Sequence, residues 1–533
     1  MPETLAAPPD VMPAPLSAAA VVQAYHQRTK HRFEAYAASP GTLDWDAQPA
    51  AFRHYEGVPP IELPLARAED LTAAPVTPAI PDLASIGALL HLSFGLTAWK
   101  TLGPDRWAVR ANPSSGNLHP VEAYVIVAGI PELADGLYHY RPEIHALELR
   151  AVHLQPVAAG PVLAVGLSCV MWREAWKYGE RAFRYCQLDA GHAQACLGYA
   201  AALLGWHTVE QPQVGSHTLA SLLGLDRAAE FPGKRAEVSQ EEAELLLVLD
   251  FAGCATRLEP AALHEASAAA RWQGVASLID RFPMFRWPVI ADVAAATRRA
   301  DDSGAASNPQ RIPRVQPAAL ILRRRSAQRF DPAHVMGRAE FERLLEALRP
   351  AADARIGLLM FIHRVDGLAP GVYFLPRGAL DGGLAQRLQA RYKLLPVDGL
   401  PAADALFSLA PADPLELRRV ARSLHCHQDI ASNASIAFGM LAPFAERVEA
   451  DPPAYRDLYR EAGALGQVLY LEAEALGLRG TGIGCFFDDP VHSVAGLDDG
   501  VFQTLYHFTI GLPVIDGRVE TTPPYPGRKD ALR

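Results

Sequence analysis

The sequence predicts an α+β protein in which two copies of one mixed helix–sheet unit lie in tandem on a single chain. Three observations predict it. At 533 residues the chain is too long for one core, since single domains run to roughly 100–200 residues. A segment near the middle recurs near the end without a gap. In both copies the hydrophobic pattern changes from helical spacing to a short, continuous apolar strand.

The recurrence is in register. Arg184–Asp226 aligns with Arg456–Asp498 at a constant shift of 272 positions, so that Gly191 meets Gly463, Gly205 meets Gly477, and Gly224-Leu225-Asp226 meets Gly496-Leu497-Asp498. Each copy opens with a long helix that stops at Gly205 or Gly477, the residue best suited to a helix C-terminus. A loop and a short helix are expected next, then a buried strand at Glu244–Asp250 or Leu505–Ile510. Upstream, Leu133–Tyr140 matches Leu368–Leu375 as a turn into a strand, and Glu122–Ala128 pairs with Leu358–His363 as the strand before it.

Between the copies, Pro260–Arg299 reads as helical and partly apolar, and Asp301–Pro313 as a flexible connector rich in Gly, Ser, Asn and Pro. The predicted division is 1–259 for the first unit, 260–316 for the linker and 317–533 for the second.

Composition narrows the function classes. The net charge of −10 and a pI near 6.0 exclude the basic face that nucleic acid requires. The Ala- and Pro-rich start, Met1–Val22, has no basic stretch before its apolar part and does not read as a signal peptide. The apolar runs stay short of the ~18 residues that span a membrane, so a cytoplasmic protein is expected. Six cysteines without a C-x-x-C pair read as reduced, mostly buried thiols.

Four motifs carry candidate chemistry. Arg324-Arg325-Ser326, with Arg329 three residues on, offers paired donors and a hydroxyl to a phosphate monoester near a helix start; a solvated basic turn has the same composition. Pro113-Ser114-Ser115-Gly116-Asn117, following Arg110, offers polar groups to the edge of a heterocycle, and is equally the makeup of a plain turn. Gly482-Ile483-Gly484 lies in a G-T-G-I-G-C-F stretch that no strand is expected to precede. Its glycines allow a flat ligand to approach the backbone, or simply shape a loop. Lys177-Tyr178 can move a proton if desolvation lowers the lysine pKa, or can sit on a charged helix surface. His425-Cys426-His427 lacks zinc-site spacing, and no metal is assigned.

Together these motifs resemble the nitroreductase superfamily and, within it, the SagB/ThcOx-type dehydrogenases. The resemblance rests on Leu90–Thr97, the R-A-N-P-S-S-G-N-L-H-P loop, G-L-Y-H-Y, W-K-Y-G-E-R-A-F-R-Y through D-A-G-H, and in the second half R-R-S-x-x-R-F with G-T-G-I-G. It implies FMN bound between two such units, with an R-R-S segment on the phosphate. The G-x-G segment of one unit and the P-S-x-x-N loop of the other would lie on the isoalloxazine. Here each half lacks what the other has. Glu210-Gln211-Pro212 stands where the first unit should carry G-I-G, and Arg349–Arg355 stands where the second should carry P-S-S-G-N.

The implied architecture is an intrachain pseudo-dimer with one complete FMN site and one degenerate site. Arg324, Arg325, Ser326 and Arg329 are assigned to the phosphate, and Pro113, Ser114, Ser115, Asn117, Gly482, Ile483 and Gly484 to the ring; Arg110 and Arg518 are further candidates. Lys177 and Tyr178 are the implied acid/base pair, facing either the complete or the degenerate site. The implied activity is FMN-dependent hydride transfer to or from a small organic substrate, with NAD(P)H a candidate electron donor. Azoline oxidation in a modified peptide and non-catalytic flavin binding are the alternatives. No nucleic-acid or membrane partner is expected, and the chain acts as a monomer or as a further homodimer.

Overall fold

The computed structural model describes residues 16–253, 256–303, 310–349, 354–377, 383–401 and 404–528. Cys254, the first fifteen residues and the middles of the Asp301–Pro313 and Arg349–Arg355 segments lie outside the described residues.

A hairpin of β1 (Leu96–Leu102) and β2 (Asp105–Arg110) precedes the first sheet. That sheet is built on β3 (Val121–Ala128), β4 (Gly136–Arg141), β5 (Ala146–Val152), β6 (Val162–Cys169), β7 (His207–Glu210) and β8 (Glu242–Asp250), in the spatial order β5-β4-β3-β6-β8-β7. Between β6 and β7 run α1 (Met171–Tyr178) and α2 (Ala182–Leu203).

After α3 (Ala318–Arg323), the second unit repeats the plan. Its strands are β9 (Gly357–Ile362), β10 (Gly371–Leu375), β11 (Phe407–Pro411), β12 (Ile436–Pro443), β13 (Arg479–Ile483) and β14 (Phe502–Gly511), and its sheet order is β11-β10-β9-β12-β14-β13. α4 (Pro414–Leu424) lies between β11 and β12, and α5 (Ala454–Ala475) between β12 and β13. The two orders match strand for strand, and every pairing among these strands is antiparallel.

The long helices α2 and α5 join the units. Both are buried nearly all round, as an apolar helix at the centre of a protein must be. They cross at their glycines. A Cβ on Gly191 would strike the carbonyl of Arg460, and a Cβ on Gly463 would strike that of Leu188. These contacts are the same contact seen from opposite sides, because Leu188 and Arg460 are again related by the shift of 272. One apolar cluster continues through the crossing, from Leu197 and Leu247 of the first unit to Leu469 and Phe508 of the second.

The structure changes several expectations. The stretch after each long helix is not only loop and short helix. Its first residues form the edge strands β7 and β13, so Gly482 and Ile483 sit in a strand paired with β14. Glycine weakens strand propensity, which hid β13 from the pattern. Arg324 caps the end of α3 instead of opening a helix. The connector is tied down at its described ends: Asp301 accepts from Gly215 N at 2.6 Å and Thr218 Oγ1 at 2.7 Å, and Gln310 N donates to the Thr208 carbonyl at 3.0 Å. Within the predicted linker, Arg271–Trp272 pairs with β5 of the first sheet. β15 (Glu520–Thr522), late in the second half, pairs with β1 of the first unit. Cys169, Cys186 and Cys196 are buried, whereas Cys426 and Cys485 are partly exposed. No helix among the described residues is long and apolar enough to cross a membrane.

Candidate functional site

One wall of a cleft between the units is the loop from β2 to β3. Pro113, Ser114, Ser115 and Gly116 line it. Gly116 has φ +59°, and a Cβ there would meet Tyr178 Oη at 2.5 Å and Lys177 Nζ at 3.1 Å. The missing side chain is what lets the end of α1 reach the loop. Ser115 donates to the buried Asp189 carboxylate on α2 from its backbone N–H at 3.0 Å and its hydroxyl at 2.8 Å. Ser114 Oγ accepts the His119 N–H at 2.8 Å. Asn117 and Arg110 turn away from the cleft: Asn117 Nδ2 donates to the Ala108 carbonyl at 2.9 Å, and Arg110 donates to the carbonyls of Val121 and Ala51.

The second unit supplies the other wall with Gly482, Ile483 and Gly484. Tyr470 on α5 ties this strand to the basic segment, its hydroxyl bonding Ser326 Oγ at 2.9 Å and accepting the Gly482 N–H at 3.0 Å. Arg324 lies 5.0 Å over the Tyr470 ring and donates to the carbonyls of Ala111 and Arg110 at 3.3 Å, while its buried Nη1 has no partner. Arg325 donates to the Thr97 carbonyl at 3.1 Å.

Lys100 on β1 and Arg479 on β13 complete a cationic cluster. Burial, then Arg324 and Arg479, lower the Arg325 pKa to about 10; burial, then Arg325 and Arg479, lower that of Lys100. Cations that depress one another in this way, beside an unpartnered guanidinium nitrogen, fit a phosphate dianion. Neither Arg329 nor Arg518 lines the cleft. Arg329 is exposed, and Arg518 is exposed and paired with Asp516 at 2.7 Å.

The interior of the cleft is polar. Burial raises Asp189 to about 7, against the pull of its Ser114 and Ser115 hydrogen bonds. His192, one turn further along α2, bonds the Tyr506 hydroxyl at 3.1 Å, and burial lowers its pKa to about 3. Tyr178 lines the same cleft, its phenol held protonated by burial and by Glu174. Lys177 lies 5.0 Å over the Trp45 ring and 5.3 Å over that of Tyr178, with its pKa lowered by burial. The pair therefore adjoins the cleft formed by the Pro113–Gly116 loop and the end of β13. Asp189, His192, Tyr470, Lys100 and Arg479 were missed as site residues. The one-turn spacing of Asp189 and His192 and the place of Arg479 before Gly480 were available signals; Lys100 had none.

At the equivalent position on the other side, a second cavity is lined by Glu210, Gln211, Pro212, Arg349 and Arg355. Glu461, the counterpart of Asp189, accepts the Arg355 N–H at 2.9 Å, as Asp189 accepts that of Ser115. The backbone arrangement repeats, but ion pairs such as Arg355–Glu461 at 3.4 Å replace the hydroxyls and glycines.

No family model matches the chain. It is 27% identical over 139 residues to a nitroreductase homologue of Methanocaldococcus jannaschii, a match covering 24% of this chain and 66% of that protein. It is 33% identical over 133 residues to the trifolitoxin-processing protein TfxB of Rhizobium leguminosarum bv. trifolii, covering 22% of this chain and 36% of that protein. The chain thus spans less than two thirds of either relative. A solved nitroreductase-like protein of Anabaena variabilis superposes with a TM-score of 0.64 at 22% identity, covering 93% of this chain and 99% of its own, which establishes the shared fold. By fold the chain is nitroreductase-like, with two nitroreductase-like units in one polypeptide, and part of its sequence is similar to that nitroreductase homologue and to the trifolitoxin-processing protein.

Proposed function

We propose that the chain is an FMN-dependent oxidoreductase with one flavin site, the cleft between its units. The observation that carries this reading is the complementarity of the walls: Pro113–Gly116 from one unit faces Gly482–Gly484 from the other, with the cationic cluster behind Tyr470. Arg324, Arg325, Lys100, Arg479 and Ser326 would hold the phosphate, and the Pro113–Gly116 loop with Gly482–Gly484 the ring. Bound flavin supplies two-electron chemistry that side chains lack. The chain's own residues orient it and handle protons. Tyr178 is a phenol donor, Lys177 a desolvated amine, and Asp189 a carboxyl that changes charge near neutral pH. NAD(P)H is the proposed donor, and a small organic molecule the proposed acceptor. A cytoplasmic location and a monomeric or homodimeric state complete the reading.

Flavin released from purified protein and quantified by absorbance should give one FMN per chain. Two per chain would sink the one-site reading, and colourless protein that takes up no FMN would favour a scaffold role.

A second reading, dehydrogenation of an azoline ring in a modified peptide, is favoured by the match to a trifolitoxin-processing protein. Conversion of a thiazoline peptide to its thiazole, with no turnover of nitro compounds or quinones by NAD(P)H, would select it.

A further inference from the structure

Cys485 follows Gly484 and lines the cleft; Cys426 lies in the turn after α4. Phe487 N–H donates to the Leu424 carbonyl at 2.9 Å, which lays the two cysteine-bearing segments side by side. Gln428 Nε2 fixes the turn there by donating to the carbonyls of His425 at 2.9 Å and Cys485 at 3.2 Å. Cys426 and His427 have φ of +52° and +59°, backbone that non-glycine residues seldom adopt without a structural or functional reason.

The surroundings divide the roles of the two sulfurs. His31 Nδ1 accepts the Ala37 N–H at 3.0 Å, so the ring hydrogen is on Nε2, and a backbone bridge from His31 to Phe487 sets the residue beside the Cys485 segment. Arg181 donates to the Gly484 carbonyl at 3.0 Å and brings positive charge to the same sulfur. Tyr36 packs against Phe487 at 5.6 Å, Tyr185 lines the cleft with Cys485, and Asp488 sits behind Arg181. Neighbouring Cys426, then His31 and the Arg181 charge, hold the Cys485 thiol below its usual range, while Cys426 is pushed up. A thiolate beside a protonated thiol is the arrangement of an attacking and a resolving cysteine.

We propose that Cys485 and Cys426 are a redox-active dithiol that closes to a disulfide beside the cleft by exchange with small disulfide compounds. The Cys485 thiolate attacks one sulfur of the small disulfide, forming a mixed disulfide and expelling one thiolate, which takes up a proton. Cys426 then gives up its proton and attacks the Cys485 sulfur, releasing the second small thiol. The protein dithiol is oxidised, the small disulfide is reduced to two thiols, and no other reactant is needed. The step does not involve flavin, so it stands or falls separately from the proposed function.

The test is to equilibrate the full chain in glutathione buffers of graded oxidation, quench with acid, alkylate, and map peptides by mass. The expected result is loss of two thiols in one transition and a linked peptide pair containing residues 426 and 485. Cys426→Ser should instead retain glutathione on Cys485, and Cys485→Ser should show neither product. Both thiols surviving in fully oxidised glutathione would overturn the proposal, as would glutathione uptake at Cys426 in Cys485→Ser at the wild-type rate. Circular dichroism of each variant separates a folding defect from lost exchange.

Discussion

Arg184 and Arg456 occupy equivalent positions on α2 and α5, and each guanidinium crosses to an acid of the other unit. Arg184 meets Asp488 at 2.7 Å; Arg456 meets Glu242 at 2.7 Å and Glu244 at 3.0 Å. All of these side chains are buried or nearly so, so each charge depends on its partner across the interface.

Asp488→Asn should therefore destabilise the chain. It leaves Arg181 and Arg184 without their shared counter-charge, a loss of about 3–5 kcal/mol when a buried pair is broken. The two guanidinium groups hold the Asp488 carboxyl well below the usual carboxylate range, against the cost of burial. Its stabilisation is present above the unfolded value of ~3.9 and is lost as pH falls toward the folded value. Urea denaturation at pH 7 and between pH 3 and 5 should show a weaker acid dependence in the variant.

Gly463→Ala tests the helix crossing. In an isolated helix the change would gain about 1 kcal/mol. Here the new methyl meets the Leu188 carbonyl, a backbone atom that cannot swing aside. Overpacking of this kind costs ~1–3 kcal/mol or more. A fall in the thermal midpoint together with weaker FMN binding is expected; a rise would mean that the helices have slack at the crossing.

Arg479→Ala should weaken FMN binding roughly 10-fold or more, the effect of losing a charge-assisted contact of ~1.5–3 kcal/mol. Riboflavin, which lacks the phosphate, should bind with little change. Flavin fluorescence titration distinguishes the two, and equal losses would assign Arg479 to the fold.

Asp189 should make bound flavin sensitive to pH near neutrality. Burial raises this carboxyl to about 7 from an unfolded value of ~3.9, so its contribution to stability is full below ~3.9 and is lost as pH rises through about 7. Asp189→Asn removes the titration. The flavin absorbance of the wild type should shift between pH 6 and 8 and that of the variant should not.

The repeat was legible because Gly191 and Gly205 serve backbone geometry that both units need, and Asp226, like Asp498, accepts from a serine hydroxyl of the short helix before it. The strand order was not legible, since pairing across a sheet leaves no trace in local spacing. β13 was hidden by its glycines. Lys177 and Tyr178 could not be assigned to either cavity from sequence alone, because their approach depends on the absent side chain of Gly116, about sixty residues upstream. Lys100 joins Arg325 and Arg479 only through the contact of β1 with the second unit, which no motif foreshadows.

The pairing of β15 with β1 has a kinetic side. Leu96 N–H donates at 2.8 Å to the hydroxyl of Tyr525, 429 residues later, and that hydroxyl donates onward to the Pro142 carbonyl at 3.0 Å. During synthesis the hairpin bearing Lys100 must wait, with one edge unpaired, until the far segment emerges from the ribosome. At roughly 5–20 residues per second that interval is on the order of half a minute. For that time the nascent first unit carries an open strand edge, a row of unpaired backbone groups able to pair with another chain.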